Sequence, residues 1–183
     1  MEFLEMAKKR YSVRRFDASH KVEKEITDRI LEAAQAAPSA HNFQSWRVLV
    51  IEKEAALLKL RTCTPCHYHA PLAFLVSYDS EACWKREADG KPAGEVDAVI
   101  AATHMMFEAY EQGIGCCFVM GFDEKALRES FHLPETLKPT AILVCGYPSA
   151  DCRPGSRHGQ RKPLDVLAEY NDYEKGREDN NNE

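Results

Sequence analysis

One stretch of the sequence limits the fold more than any other: Leu72 to Tyr78 is an almost uninterrupted run of apolar residues. Such a run is typical of a strand inside a sheet that is covered on both faces. Further strands are predicted at Arg47–Ile51 and Thr140–Tyr147. Ile114–Val119 is predicted to be a turn that leads into a short strand. The order of the strands cannot be read from this pattern.

Segments with helical periodicity alternate with these strands. Helices are predicted at Glu2–Arg10, Glu23–Ala36, Lys53–Arg61, Glu95–Gln112, Asp123–Phe131 and Pro163–Tyr170. The longest, Glu95–Gln112, carries a broad apolar stripe and stops at Gly113. The charged stretch Ser80–Gly94 is predicted to be a long loop. The alternation of helices and strands predicts an α/β class, in the form of a mixed sandwich.

Composition narrows the class of protein further. The 183 residues contain no internal repeat or linker, so we expect one domain over residues 1–172 and a polar, disordered tail over residues 173–183. The net charge of −5 argues against nucleic-acid binding and against attachment to an anionic membrane. There is no apolar run of the length that a signal peptide or a membrane span needs, so we expect a cytoplasmic protein.

Two motifs in the first quarter of the chain carry polar chemistry. In an extended segment, Arg10, Ser12 and Arg14 would point to one side. Guanidinium groups and a hydroxyl in this arrangement suit a dianionic phosphate. No glycine-rich phosphate loop or dinucleotide fingerprint is present.

The second motif is the turn that contains Pro38, Ser39, Asn42 and Gln44, just before a predicted strand. Its two amide side chains each offer donors and an acceptor, which suits the mixed edge of a flat heterocycle. Together, the two motifs indicate a site for a phosphorylated aromatic cofactor.

Four segments resemble the nitroreductase family in order and spacing, over roughly Phe3 to Tyr170. They are Arg-x-Ser-x-Arg from Arg10, Pro-Ser-Ala-x-Asn-x-Gln-x-Trp from Pro38, Gly-Ile-Gly from Gly113 leading to Val-Met-Gly-Phe-Asp from Val119, and Arg-Lys-Pro-Leu from Arg161. One departure is Ser45, where many members have proline between the glutamine and the tryptophan.

The resemblance implies a nitroreductase-like, mainly antiparallel sheet flanked by helices, in an intertwined homodimer with two FMN sites at the subunit interface. It implies electron transfer from NAD(P)H to small planar acceptors (nitroaromatics, quinones or flavins) by a ping-pong mechanism.

The resemblance also assigns cofactor-binding residues. Arg10, Ser12 and Arg14 would bind FMN from one subunit, and Pro38, Ser39, Asn42 and Gln44 would approach it from the other. The backbone of Met120 and Gly121 would face the flavin N5 region. Arg161 would lie at the phosphate, with Lys162 a less certain neighbour. Arg14 would stabilise the reduced flavin. No catalytic side chain is nominated, because the cofactor carries the redox chemistry.

Several alternatives stay open. Cys63, Cys66, His67 and His69 form a Cys-x-x-Cys-His pattern that could attach haem, bind zinc or act as a redox thiol pair, although incidental thiols are favoured. Trp84 could form a lid or a pocket wall, or belong to a surface excursion packed on the sheet. His158 could touch phosphate, although a position in solvent is favoured. The functional alternatives are a specialised flavin reductase with another electron donor, and a non-enzymatic flavin-binding or redox-sensing protein.

Overall fold

The computed structural model describes residues 2–17 and 19–173. In chain order the helices are α1 (Phe3–Lys9), α2 (Lys24–Gln35), α3 (Glu54–Cys63), α4 (Gly94–Glu111), α5 (Glu124–Phe131) and α6 (Leu164–Leu167). The strands are β1 (Trp46–Ile51), β2 (Leu72–Asp79), β3 (Gly115–Val119) and β4 (Leu137–Gly146). The tail predicted to be disordered lies almost entirely outside the described residues.

The four strands form one antiparallel sheet in the order β1-β2-β4-β3. Val48 pairs with Val76, Phe74 with Leu143, and Cys117 with Val144. The segment after α1 lies along the outer edge of β3, where Ser12 forms a parallel bridge with Cys116. The sheet order brings distant parts of the chain together, because β4 lies between β2 and β3.

The continuous apolar character of β2 follows from helices on both faces of the sheet. Leu72, Phe74 and Val76 pack into a core with α2 and α4, while Ala73 and Leu75 pack into a second core with α3 and α5. Alternate residues of a strand point to opposite faces, so an interior strand between two helical layers must be apolar throughout. The predicted α/β sandwich with a mainly antiparallel sheet is confirmed.

The N-terminus of the central helix α4 packs closely against the sheet. A Cβ on Gly94 would lie 2.2 Å from the Tyr78 ring, so glycine lets the first turn approach β2. The helix ends at Glu111, and Gly113 adopts a left-handed φ of 75° in the turn toward β3. This close packing places the first turn of α4 next to the amide-bearing turn that precedes β1.

Two predicted boundaries were wrong. β4 begins at Leu137 rather than Thr140, because Pro139 is accommodated beside a register shift between Val76 and Ser77 in β2. α6 spans only Leu164–Leu167 rather than Pro163–Tyr170, and its apolar side chains remain exposed. No helix within the described ranges combines the length and apolar character needed to cross a bilayer.

Candidate functional site

The first motif is held in an extended conformation by the edge of β3. Val13 N donates to Cys116 O at 3.1 Å, and the Val13 side chain is buried. A Cβ on Gly115 would lie 2.5 Å from Val13 Cγ2, so this glycine allows the segment to approach the strand. With Val13 directed into the protein, the flanking Ser12 and Arg14 face the opposite side.

The predicted phosphate-binding residues line one polar cleft of about 550 Å³. Its walls come from the segment after α1 and from the loop that precedes α6. The lining residues are Arg10, Tyr11, Ser12, Arg14, Gly155, Ser156, Arg157, His158 and Arg161. The structure therefore brings Arg10, Ser12, Arg14 and Arg161 together, although Arg161 follows Arg10 by about 150 positions.

Positive charge dominates this cleft. Four guanidinium groups line it, and no carboxylate does so among the described residues. In residues 2–17 and 19–173, the arginines that form ion pairs are all outside this cleft. Arg10 Nε is buried and has no hydrogen-bond partner there. An unsatisfied buried donor costs about 1–3 kcal/mol, so this atom favours a bound acceptor.

The loop before α6 supplies residues that the sequence analysis missed. Arg157 was assigned no role. His158, for which solvent was favoured over contact with phosphate, is half-buried with its ring centroid 6.1 Å from that of Tyr11. Arg161 Nη1 donates to His158 O and, at 2.7 Å, to Gln160 O. These bonds hold the loop backbone against the Arg161 guanidinium. The sequence signal that could have found these residues is the recurrence of arginine at positions 153, 157 and 161.

The groups behind the cationic residues are held neutral. Burial raises the pKa of the Cys117 thiol, while the Arg14 charge and a hydrogen bond from Ser12 act in the opposite direction. Burial, followed by a hydrogen bond to Cys152, raises the pKa of the Tyr11 hydroxyl. Since neither group ionises near pH 7, neither offsets the arginine charge.

The amide-bearing turn adopts an unusual backbone. His41, Asn42 and Gln44 all have left-handed φ values, of 50°, 57° and 50°. Residues other than glycine adopt such values at a cost of about 1–3 kcal/mol each, and such strain clusters at functional sites. Gln44 N donates to Ser39 Oγ at 3.0 Å, and Gln44 Nε2 donates to Asn42 Oδ1 at 2.9 Å. The two amides are thus fixed relative to each other.

The remaining predicted residues lie apart from the cationic cleft. None of Pro38, Ser39, Asn42 and Gln44 lines it, and Gln44 instead lines a separate groove with Trp46 and Arg47. Met120 and Gly121 follow β3 and are exposed, with Met120 65% exposed. Thr64 Oγ1 donates to Gly121 O at 2.6 Å. Lys162 is exposed and does not line the cleft.

The cysteines and histidines of the Cys-x-x-Cys-His pattern have different surroundings. Cys63 is buried in α3, where its thiol donates to Lys59 O, and Cys66 lies in the following turn. The His67 and His69 rings meet edge to face at 4.6 Å, and His67 Nδ1 accepts from the His69 backbone N–H. In the part of the chain that the structure describes, no group of three or more His, Cys, Asp or Glu residues could hold a metal ion.

Comparison with known proteins places this chain and its fold in a family. The model of the nitroreductase family matches residues 7–65 and 64–147. A nitroreductase family protein from Clostridium difficile 630 has 38% sequence identity and a TM-score of 0.88, over 94% of this chain and 100% of that chain. An FMN-dependent nitroreductase from Clostridium difficile R20291 has 26% identity and a TM-score of 0.75, over 93% and 99%. An NADH dehydrogenase from Thermus thermophilus is 28% identical, over 82% of this chain and 89% of that protein.

The class is therefore that of the nitroreductase-fold oxidoreductases. This chain belongs to the nitroreductase family, as the sequence resemblance predicted.

Proposed function

We propose that this chain is an FMN-dependent oxidoreductase that works as a homodimer and transfers electrons from NAD(P)H to small planar acceptors. The observation that carries the proposal is the cleft in which Arg10, Arg14, Arg157 and Arg161 lie without carboxylate partners in the described part of the chain. A cleft of this charge suits an anion, and family membership supports the phosphate of FMN as that anion.

The donors in the cleft fit a phosphate group. Guanidinium forks and the Ser12 hydroxyl can surround several phosphate oxygens, and each charge-assisted hydrogen bond contributes about 1.5–3 kcal/mol. The buried, unpartnered Arg10 Nε would gain its missing acceptor. Arg161 holds the loop through Nη1, which leaves its other nitrogens for the ligand.

The amide-bearing turn supplies the second half of the site. Asn42 and Gln44 are fixed to each other by a side-chain hydrogen bond, and their strained backbone is typical of a preorganised binding segment. Pro38 and Ser39 begin the turn. We assign to this segment the recognition of the flavin ring edge, where donors and acceptors alternate.

Two copies of the chain would complete one site. Within a single chain the amide-bearing turn does not reach the cationic cleft, so the turn of one subunit would meet the cleft of its partner. Exposed apolar side chains near the end of the described chain support this association. They are Leu164, Val166, Leu167, Tyr170 and Tyr173.

FMN, held by the arginines of the cleft and by the amide-bearing turn, would supply the redox chemistry between NAD(P)H and an acceptor that would bind in turn at the same place, a ping-pong scheme. Arg14 provides a fixed positive charge that favours the reduced, more negative cofactor. The exposed backbone of Met120 and Gly121 is assigned to the N5 region of the ring. No side chain has to act as a nucleophile. The names of the Thermus and Clostridium proteins support the donor and the cofactor.

Arginine substitutions test the phosphate assignment. Arg10→Ala and Arg161→Ala should each raise the FMN dissociation constant about 10- to 150-fold, because each removes charge-assisted hydrogen bonds. Titration of apoprotein with FMN, followed by fluorescence quenching, measures this. Arg29→Ala, which removes an exposed arginine paired with Glu108, is the matched control and should leave the affinity unchanged. Equal affinity in all three variants would contradict the assignment.

The reaction itself is tested by anaerobic reduction. NADH or NADPH should bleach the absorbance of the bound flavin, and a nitroaromatic or quinone added afterwards should restore it. Bleaching must occur before the acceptor is present, since a ping-pong scheme separates the two half-reactions. A yellow protein that neither nucleotide bleaches would indicate a flavin-binding protein or a different electron donor.

A further inference from the structure

The amide-bearing turn has contacts outside itself that the cofactor assignment does not use. His41, in the middle of the turn, stacks on Trp84 with a centroid distance of 4.9 Å and an interplanar angle of 17°. His41 is also one of the three left-handed residues. A non-glycine residue stays in that conformation only when its surroundings hold it there.

Trp84 is itself firmly placed. It lies at the base of the 80–93 loop, where Ala93 N donates to Trp84 O at 2.9 Å and Lys85 bridges to Pro92. Arg86 Nε donates to Asp89 Oδ1 at 2.8 Å and closes the tip of the loop. The loop leads directly into α4, so the backbone that carries the indole is held relative to the central helix.

The same stretch of chain holds the turn at a second point. Asp97, in the first two turns of α4 and only 2% exposed, accepts a hydrogen bond from Ala40 N at 2.9 Å. Trp84 and Asp97 therefore contact adjacent residues of the turn, His41 and Ala40. Asp97 fixes the start of the turn, whereas the stacked ring fixes the residue directly before Asn42.

We propose that Trp84 is a positioning residue: by stacking on His41 it keeps the turn in the left-handed conformation that presents Asn42 and Gln44. The role in cofactor binding rests on the proposed function. Trp84 acts through His41 and the backbone, and it needs no contact with the flavin. The loop over residues 80–93 thereby tunes flavin affinity from outside the binding site.

Hydrogen exchange of the apoprotein tests this without any cofactor. The amides of Asn42, Phe43 and Gln44 donate to Ser39 O, Ala40 O and Ser39 Oγ, so their exchange reports on the turn. Trp84→Leu, which keeps an apolar side chain but removes the stacked ring, should speed their exchange roughly threefold to tenfold, the range that aromatic stacking supports. Trp84→Phe should restore slow exchange. Lys85→Ala, an exposed neighbour in the same loop, should exchange as the wild type does.

The second measurement is FMN affinity in the same variants. Trp84→Leu should raise the dissociation constant by a similar factor, with rescue by Trp84→Phe, while the amides of β2 and β4 exchange as before. Unchanged exchange at the turn in Trp84→Leu overturns the proposal, and so does failure of phenylalanine to restore it. A wild-type chain that binds no FMN refutes the proposed function instead, and the turn amides still decide whether Trp84 holds His41.

Discussion

Ser39 and Ser45 lie six positions apart, yet their hydroxyl groups have opposite environments. Ser39 Oγ accepts a hydrogen bond from Gln44 N, whereas Ser45 is fully buried and its Oγ has no partner among the described residues. An unsatisfied buried hydroxyl is costly, while a satisfied one stabilises by about 0.5–1.5 kcal/mol. The fold thus has no need of a hydroxyl at position 45.

Alanine substitutions at these two positions should therefore change the free energy of unfolding in opposite directions. Ser45→Ala should leave the free energy of unfolding unchanged or raise it by up to about 1 kcal/mol, and Ser39→Ala should lower it by about 1 kcal/mol. Urea denaturation of the two variants measures both effects. A loss of stability in Ser45→Ala would show that its hydroxyl has a partner.

Asp17 makes a pH-dependent contribution at the surface. Hydrogen bonds from the Ser19 hydroxyl and from His20 lower the pKa of this carboxyl from 3.8 to about 2. The folded state therefore favours the ionised carboxylate. Its contribution to the free energy of unfolding is complete above about pH 4 and is lost as the pH falls toward 2. NMR titration should give a midpoint near 2 for Asp17. Ser19→Ala should move that midpoint upward, and an unchanged midpoint would contradict the hydrogen-bond explanation.

Some of the residues that line the cleft could be predicted from the sequence. Arg10, Ser12 and Arg14 share a side because extended residues alternate, and the structure agrees. Arg161 was assigned only through the family resemblance, because it is about 150 positions from Arg10 in the sequence and lines the same cleft only in the folded chain. Arg157 was missed and solvent was favoured for His158, because the spacing of residues in a loop does not show which way their side chains face. Whether these residues bind FMN stays a prediction.

At the scale of elements, the start of α4 and the turn before β1 depend on each other through Asp97. Asp97→Ala removes the acceptor of the Ala40 N–H and should destabilise the fold by about 1.5–3 kcal/mol. Asp97→Asn retains an oxygen acceptor for the Ala40 N–H and should cost less. It loses the charge near the helix N-terminus, about 0.3–1 kcal/mol, and replaces Oδ2, which has no hydrogen-bond partner among the described residues, by an amide group. Chemical denaturation distinguishes the variants, and equal losses would mean that the charge rather than the hydrogen bond matters.

Helices and strands were predicted well where the apolar period was strong and less well elsewhere. α2, α4 and α5 differ from prediction by only one or two residues at their ends. Pro139 concealed the start of β4, because proline lacks the donor that a ladder requires and the pairing with β2 skips the next residue, Thr140. The strand order was not predictable, since pairing between β2 and β4 is a long-range contact.

At the scale of the whole molecule, the surface of α4 allows the predicted dimer to be tested. Val96 is 57% exposed in the first turn of the helix, where an acidic residue favours helix formation. Val96→Asp should therefore leave the single chain folded but should oppose burial of this face against a second copy. Sedimentation velocity should show a dimer for the wild type and a lighter species for the variant, with weaker FMN retention in parallel.

Ala55→Asp is the matched control for this experiment. It adds the same charge to the first turn of α3, at another exposed position. It should sediment as the wild type does. A wild-type monomer that retains FMN fully would contradict the two-subunit site, and a dimeric Val96→Asp variant would place the interface elsewhere.

The segment that carries Arg10, Ser12 and Arg14 also occupies the open side of β3, through the Ser12 bridge and the Val13 hydrogen bond to Cys116. Unpaired strand edges invite association with other chains. A ligand that anchors this segment would thus also protect the protein from aggregation through the edge of β3. Flavin supplied during expression and purification should protect against precipitation, and stripped preparations should lose protein to aggregates first.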